Sequence, residues 1–379
     1  NGLYFTLNRG KNWHKMSGAP TIAFRDVKIQ RRDNDLVGAT FGRGIYVMDD
    51  YSSLREIASG VLDKNATLFP IRDAWWYVPN VPGQAKGEPT LGSSFYRSKN
   101  PEFGAMFTYY LGASFTTEVV KRQEIEKKLR QAGKNIPFPG YEALRNERIE
   151  IEPLVVLVIK DKDGNVINKV KADAKQGLHR VNWDLRLPPP NTVSLIKPTF
   201  VPPWVGEPQG PLVAPGDYVA ELTLVKNGSV KSLAPARSFT VKPVIDDGTD
   251  YQAVAAFQKE TSDVLREIFA AGETISKTKR KLRHLDAALM EAPQASNTLY
   301  KEMETIKHTL DALSMELYGD TDRSHQNEAN SPSIAGRVFY VSYNHWETTQ
   351  PPTATMVNNI TIVKKRFASF KVKLDGLVE

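Results

Sequence analysis

The stretch that decides the fold is TLNRGKNW, residues 6–13, which lies between two short runs of strand character, GLYFTL and HKM. Thr6 and Asn8 have short polar side chains that hydrogen-bond the backbone of tight turns, and Gly10 accepts the left-handed conformation that such turns need. Trp13 follows the turn and offers a large apolar surface for packing. The stretch therefore predicts a hairpin whose turn is closed by its own side chains.

The alternation of strands and turns continues to about residue 55. TIAFRDVKIQ and LVGATFGRGIYVMDD have strand character, and the turn RRDND separates them. Four short strands at this spacing are typical of one blade of a β-propeller. Since one blade cannot bury both of its faces, the sequence predicts that residues 1–55 pack against further blades.

Composition excludes several classes of protein. With 379 residues, of which 41% are hydrophobic and 25% charged, the chain has the composition of a globular protein with several domains. No apolar run approaches the roughly 18 residues that a membrane helix needs, so no membrane span is expected. The absence of cysteine excludes disulfides and thiolate metal sites, and no pattern predicts a cofactor.

The net charge of +7 raises the question of nucleic-acid binding. The basic residues, however, alternate with acidic ones along predicted helices, as in KRQEIEKKLRQAGK (121–134) and KTKRKLRHLD (277–286). This pattern favours solvated helix faces, and we expect no nucleic-acid partner.

Three further segments follow the first. Residues 56–100 predict a linker in which Trp75 and Trp76 pack as anchors, with a ligand platform as the alternative. Residues 101–247 predict a β region with a helical insertion at about 116–150 and a hairpin that turns at DG, residues 163–164.

Residues 248–379 predict an antiparallel helical bundle. Apolar residues recur every seven positions in the first long helix, and Thr353 is the predicted N-cap of the last one. The apolar stripe of that last helix consists of Met356, Ile360, Val363, Phe367, Phe370 and Leu374.

TLNRGKNW is similar to the Asp-box turn, S/T-x-D-x-G-x-T-W, with Asn8 in place of the aspartate and Asn12 in place of the second threonine. Together with DLVGATFGRGIYVMDDYSSLRE, it resembles the final blade of BNR (Asp-box) propellers. Such propellers occur in sortilin-like proteins and in bacterial proteins named as glycosyl hydrolases. In this family the turn is structural, so the resemblance gives Thr6, Asn8, Gly10 and Trp13 a packing role and no catalytic one.

The resemblance extends along nearly the whole chain. LFPIRDAWW, FGAMFTYYL, GKNIPFPGYEALRNE, GLHRVNWDLRLP and APGDYVAELTL occur in the order of the C-terminal region of the bacterial family. The resemblance implies a multi-domain fold, mainly β and then α. It comprises a terminal propeller blade (1–55), an Ig-like, fibronectin III-like β-sandwich (101–247) and a C-terminal helical bundle (248–379).

Candidate sites are few. Arg43, in GATFGRG, is the residue we expect to face a ligand, such as an acidic group or a peptide. DKDGN (161–165) begins like a calcium loop but lacks the closing glutamate, so a hairpin turn is favoured. Asp49 and Asp50 are adjacent, and adjacent strand residues point to opposite faces, so they do not form a glycosidase pair. His179 is interpreted as structural.

The sequence thus predicts the C-terminal scaffold and binding portion of a secreted bacterial protein, periplasmic or on the cell surface, and of Gram-negative type. It would act through protein, peptide or glycan interactions. We expect it to dock on an N-terminal propeller portion, either cleaved from the same precursor or carried by a separate chain, and favour the separate chain. The alternative is a set of accessory domains of a glycoside hydrolase whose catalytic acids lie in other blades. No residue of this chain is predicted to be catalytic.

Overall fold

The computed structural model describes residues 1–57, 60–79, 94, 98, 100–195, 198–202 and 205–378. Over these residues the protein mixes β-sheet and α-helix, with a curled half-barrel sheet and a C-terminal helical region. It divides into two compact units. The sheet unit comprises Asn1–Trp75, Arg97–Asp184 and Gly216–Lys242, and the helical unit comprises Trp76–Tyr96, Leu185–Pro215 and Pro243–Glu379.

The first strands of the sheet unit form two small antiparallel sheets. The short strands β1 (Tyr4–Phe5) and β2 (His14–Lys15) pair across the TLNRGKNW turn. The strands β3 (Phe24–Gln30), β4 (Asp35–Thr40) and β5 (Ile45–Met48) form a meander in that order. The expected strand regions are present, but they form two sheets instead of one four-stranded sheet.

The remaining strands of the sheet unit form two larger sheets. One has the order β10-β9-β12-β14-β7, with β13 paired to β12, and the other has the order β11-β8-β6. Before them lies the short helix α1 (Ser52–Ile57). The strands are β6 (Ala66–Leu68), β7 (Ala74–Trp76), β8 (Ala105–Leu111), β9 (Leu154–Asp161), β10 (Val166–Ala172), β11 (Gly177–Trp183), β12 (Gly216–Lys226), β13 (Ser229–Ser232) and β14 (Arg237–Pro243).

Aromatic rings connect these two sheets. Phe107 on β8 lies 5.5 Å, between ring centroids, from Phe239 on β14, and the two rings are nearly perpendicular. Trp183 at the end of β11 contacts Tyr218 on β12 at 5.8 Å and Phe239 at 6.3 Å. All four side chains are buried, so the main core of the sheet unit lies between the two sheets.

Two helices interrupt the strands of the sheet unit, as the sequence predicts. They are α2 (Glu118–Gln131) and α3 (Tyr141–Ile149), between β8 and β9. Arg122 on α2 donates two hydrogen bonds of 2.7 Å to the carboxylate of Glu147 on α3 and one of 2.6 Å to Glu126. These bonds hold the guanidinium in a fixed orientation and hold α2 against α3.

The DG hairpin is also confirmed. β9 and β10 pair antiparallel across it, and Gly164 has a φ of 85°, in the left-handed region. Asp161 accepts backbone hydrogen bonds from Asp163 and Asn165 and a side-chain bond from Asn165. These bonds, led by the one from the Asn165 side chain, lower the pKa of Asp161. Its carboxylate therefore stabilises the turn itself.

The helical unit contains five further helices. They are α4 (Tyr251–Met290), α5 (Asn297–Tyr318), α6 (Thr321–His325), α7 (Ile334–His345) and α8 (Ala354–Val378). The six predicted stripe residues of α8 are all buried, and Thr353 accepts a hydrogen bond from the amide of Met356 at 3.3 Å, which confirms it as the N-cap. The sequence did not predict α6, which is only five residues long.

Segment 185–215 belongs to the helical unit, and several of its polar atoms are paired within that unit. Arg186 is buried and donates to the carbonyl of Gly210 at 3.0 Å. Its other terminal nitrogen lies 3.4 Å from a carboxylate oxygen of Glu347. Trp76 is buried and donates from Nε1 to the carbonyl of Val213 at 2.7 Å, whereas Trp75 is half exposed. The expected anchoring role thus fits Trp76. Within the predicted linker, residues 66–68 and 74–76 form β6 and β7 of the two larger sheets, and most of residues 80–100 lie outside the described residues.

A buried polar cluster joins α4 to the segment between α7 and α8. Gln258 on α4 donates to the carbonyls of His345 at 2.7 Å and Thr348 at 3.1 Å. His345 is 1% exposed, and its Nε2 lies 2.9 Å from the carbonyl of Gln350. Since a carbonyl only accepts, Nε2 carries the hydrogen. Nδ1 has no hydrogen-bond partner among the described residues. Burial lowers the pKa of His345 because protonation would leave a charged N–H without an acceptor.

Acidification is expected to destabilise the helical unit through His345. In the unfolded chain histidine titrates near pH 6.5, whereas the lowered pKa keeps the folded form neutral at that pH. Below about pH 6.5 the unfolded state therefore binds more protons, and stability falls as the pH falls. The effect is measured by urea unfolding of the protein and of His345→Gln at pH 7.5 and at pH 5.5. These values lie about 1 unit above and below the pKa of histidine in the unfolded chain. We expect a smaller loss of stability on acidification in the variant, and an equal loss in both proteins would contradict this.

Gly104 is expected to tolerate no side chain. Its φ is 123°, and a Cβ there would lie 1.9 Å from the backbone carbonyl oxygen of Trp183. Gly164 has a similar positive φ but open space around it. We expect Gly164→Ala to cost about 1–2 kcal/mol of unfolding free energy from backbone strain alone. Gly104→Ala should cost at least about 2 kcal/mol more, because the backbone must move. Equal losses in urea unfolding would show that the close approach is not a constraint.

Candidate functional site

The TLNRGKNW turn is closed by its own side chains, as the sequence predicts. The hydroxyl oxygen of Thr6 accepts hydrogen bonds from the amides of Gly10 at 2.9 Å and Asn8 at 3.3 Å. The Asn8 side-chain oxygen accepts from the amide of Asn12 at 2.8 Å and from the Thr6 hydroxyl at 3.1 Å. Gly10 has a φ of 85°. An asparagine oxygen thus occupies the acceptor position that an aspartate has in the Asp-box pattern.

Trp13 is not packed within the described part of the chain. Its side chain is 62% exposed, although the sequence predicts a packing residue. The prediction places the ring between two propeller blades, whereas the described residues leave most of it uncovered. The indole is therefore a large apolar surface that is open to a partner.

Each face of the β3–β4–β5 sheet carries exposed apolar side chains. Paired residues of antiparallel strands share a face, so the register assigns each side chain. Ile45 is 69% exposed and Val47 55% exposed on one face, and Ile29 is 53% exposed on the other. The first face also carries Val37, Ala39 and the exposed ion pair of Asp26 and Lys28, and the second carries Val27, Leu36, Tyr46 and Met48. We call these two faces with Trp13 the blade surface.

Arg43 lies at the tip of the hairpin between β4 and β5. Gly42 and Gly44 on either side of it have φ of 77° and 76°, so the tip is a tight turn. The Arg43 side chain is exposed. Its position leaves the guanidinium accessible to an acidic group, which is the role that the sequence predicts.

Two arginines connect the blade surface to the rest of the sheet unit, and the sequence did not predict either. Arg180 on β11 donates to the carbonyl of Asp49 at 2.9 Å and also to that of Asp50. Arg72 donates to the carbonyl of Asp33 at 3.1 Å. Because backbone carbonyls are the acceptors, no residue type in the first segment signals these contacts.

The turn between β3 and β4 carries a further charged contact. Arg32 donates from Nε to the Asp33 carboxylate at 2.8 Å, and Gln30 donates to the same oxygen at 2.8 Å. The hydrogen bond from Arg32 is the largest cause that lowers the pKa of Asp33. The carboxylate therefore stays ionised and stabilises the turn.

Asp49 and Asp50 follow β5 and do not lie on it, so the argument from alternating strand faces does not apply to them. Asp50 has a φ of 45°, and its side chain accepts from the amide of Ser52 at 3.1 Å. His179 stacks on Tyr109 at 5.2 Å, which fits the structural role expected for it.

Over the described residues, no group of three or more histidines and carboxylates is placed to hold a metal ion, and no helix is long and apolar enough to cross a membrane.

The hydrogen-bonded turn gives a direct test of the Asp-box geometry. Asn8→Asp should slow the exchange of the Asn12 amide hydrogen, because a charged acceptor forms a hydrogen bond about twice as strong as a neutral one. Asn8→Leu should speed it by removing the acceptor. Lys11→Ala, in the same exposed turn, serves as the control and should leave the rate unchanged. Equal exchange rates in the two Asn8 variants would contradict the geometry.

Comparisons of this chain with protein-family models, with curated proteins and with solved structures found no match.

Proposed function

We propose that residues 1–55 are the last blade of an Asp-box β-propeller, and that this blade docks on the propeller portion of the same precursor or of a separate chain. The observation that carries the proposal is the blade surface, on which both faces carry exposed apolar side chains. A propeller blade is apolar on both faces because it lies between two others. A sheet with one solvated face would alternate apolar and polar residues along each strand, whereas β5 carries apolar residues on both faces.

Burial would supply the energy for docking. Fully burying a valine, leucine or isoleucine side chain stabilises a complex by about 1.5–3 kcal/mol. Ile29, Ile45 and Val47 are each more than half exposed, and Trp13 adds a still larger area. The outer strands β3 and β5 also present free edges within the described sheet, to which a neighbouring strand can pair.

The rest of the sheet unit supports a scaffold role. Its two larger sheets are connected by contacts among Phe107, Trp183, Tyr218 and Phe239, and this aromatic core supports a β-sandwich. We infer that residues 101–247 include an Ig-like, fibronectin III-like sandwich with the helical insertion α2–α3. Arg180 on its strand β11 holds the end of the blade in place.

In this proposal the chain is the C-terminal scaffold and binding portion of a secreted, periplasmic or cell-surface bacterial protein. It acts through protein, peptide or glycan interactions and has no catalytic residue of its own. Arg43, at an exposed hairpin tip, is the residue that contacts an acidic ligand group. The lack of cysteine is compatible with a secreted, periplasmic or cell-surface protein, but the proposed location does not depend on it.

Docking is tested by charging one face of the blade. Ile45→Lys/Val47→Lys places two ammonium groups on side chains that are 69% and 55% exposed, so folding should persist. Native mass spectrometry of the tagged chain, isolated from the cells that make it, should show a bound polypeptide with Asp-box repeats. The double variant should lose that polypeptide, because buried unpaired charges are costly.

The matched control is Val166→Lys/Val230→Lys, which charges two exposed strand valines of the sheet unit outside the blade. It should retain the bound polypeptide, and circular dichroism should be the same for all three proteins. A wild-type chain that is folded, soluble and monomeric without a partner would contradict the proposal. Equal loss of the partner in both double variants would show that docking does not use the blade surface.

A further inference from the structure

A groove of about 800 Å³ lies along α4 and α5 in the helical unit. Five cationic side chains and two carboxylates line it, together with two serines and three apolar residues. The cations are Lys277, Lys279, Arg280, Arg283 and Lys307, and the carboxylates are Glu273 and Asp311. The other lining residues are Ser194, Ser276, Val193, Leu195 and Leu282. The groove therefore carries an excess of positive charge.

Three of the four groove cations on α4, together with Ser276, form a continuous stripe. Ser276, Lys279, Arg280 and Arg283 follow the spacing i, i+3, i+4 and i+7, which places them on one face of the helix. Seven residues of helix span about 10 Å. An extended peptide covers that distance with about three to four residues, whose alternate side chains point to the same side. The stripe thus matches a short extended segment with acidic residues at alternate positions.

Two cations of the groove already pair with carboxylates of the protein, so a carboxylate is a group that they can bind. Lys279 on α4 pairs with Asp311 on α5 at 2.6 Å, and Arg280 lies 3.4 Å from Glu273. These pairs are partly exposed, and such pairs are weak enough for an incoming carboxylate to replace them. Arg283 is exposed and has no ion pair among the described residues. A ligand carboxylate would therefore meet Arg283 first.

The apolar residues of the groove lie at its floor and its rim. Leu282 is buried beneath the cationic side chains. Val193 and Leu195 are almost fully exposed, so they form an open rim and do not close the groove. The helical wall is consequently the surface that binds, and the exposed rim offers apolar contact to the side chains of a peptide.

We propose that this groove binds an acidic peptide segment. Binding of single-stranded nucleic acid relies on aromatic side chains that stack on bases, and none of the described residues that line the groove is aromatic. Glu273 and Asp311 would also repel a continuous phosphate backbone, whereas separate carboxylates at alternate positions avoid them. The arginines offer planar donor groups that match a carboxylate in two-point geometry. The groove and the blade surface share no residue, so a failure of the docking proposal would leave this proposal unaffected.

The experiment measures binding of a fluorescein-labelled peptide of about eight residues, alternating glutamate and alanine, by fluorescence polarisation. The full chain should bind the peptide saturably, and added salt should weaken binding. Arg280→Glu/Arg283→Glu should weaken it by about tenfold or more. Both arginines are exposed, so the reversal should not unfold the protein, and circular dichroism checks this.

The matched control is Lys281→Glu/Lys365→Glu, which makes the same change in net charge on exposed helix residues that do not line the groove. It should change the affinity by less than about twofold. Equal weakening by both double variants would mean that only overall charge matters and would overturn the proposal. So would the absence of saturable binding, or tighter binding of a single-stranded oligonucleotide of equal charge.

Discussion

The sheet unit depends on the contact between the aromatic side chains of its two larger sheets. Trp183 ends β11, and its ring packs on Tyr218 and Phe239. For this packing the end of β11 must come close to the start of β8. At position 104, next to the Trp183 carbonyl, there is room for a glycine but not for a residue with a Cβ atom. The placement of β11 in turn directs Arg180 toward the carbonyls of Asp49 and Asp50. The blade surface is thus positioned by the aromatic core between the two larger sheets.

Local patterns allowed much of the fold to be predicted. The stripe of α8, the N-cap at Thr353, the DG hairpin and the self-closed turn at residues 6–13 all depend on residues within a few positions of one another. Periodicity, capping and turn chemistry act over the same short range, so the sequence carries them directly. The two helices of the insertion at about 116–150 are of this kind as well.

Features that depend on distant pairing were not predictable in the same way. One example is Arg186 in segment 185–215, which lies 3.4 Å from a carboxylate oxygen of Glu347, 161 positions along the chain. The run at 277–286 was interpreted as a solvated helix face, because one helix does not reveal what lies beside it. Only the pairing of α4 with α5 brings Lys307 and Asp311 next to Arg280 and forms a groove.

The blade surface and the groove differ in the physical force that each would use, and salt separates them. Apolar burial at Ile45 and Val47 is not screened, and salts such as sulfate strengthen it. Contacts at Arg280 and Arg283 are exposed and are screened within about 10 Å at moderate ionic strength. A complex that persists in concentrated sulfate would therefore use the blade surface. One that dissociates as sodium chloride is added would use the groove, and a partner that occupies both would lose only part of its affinity.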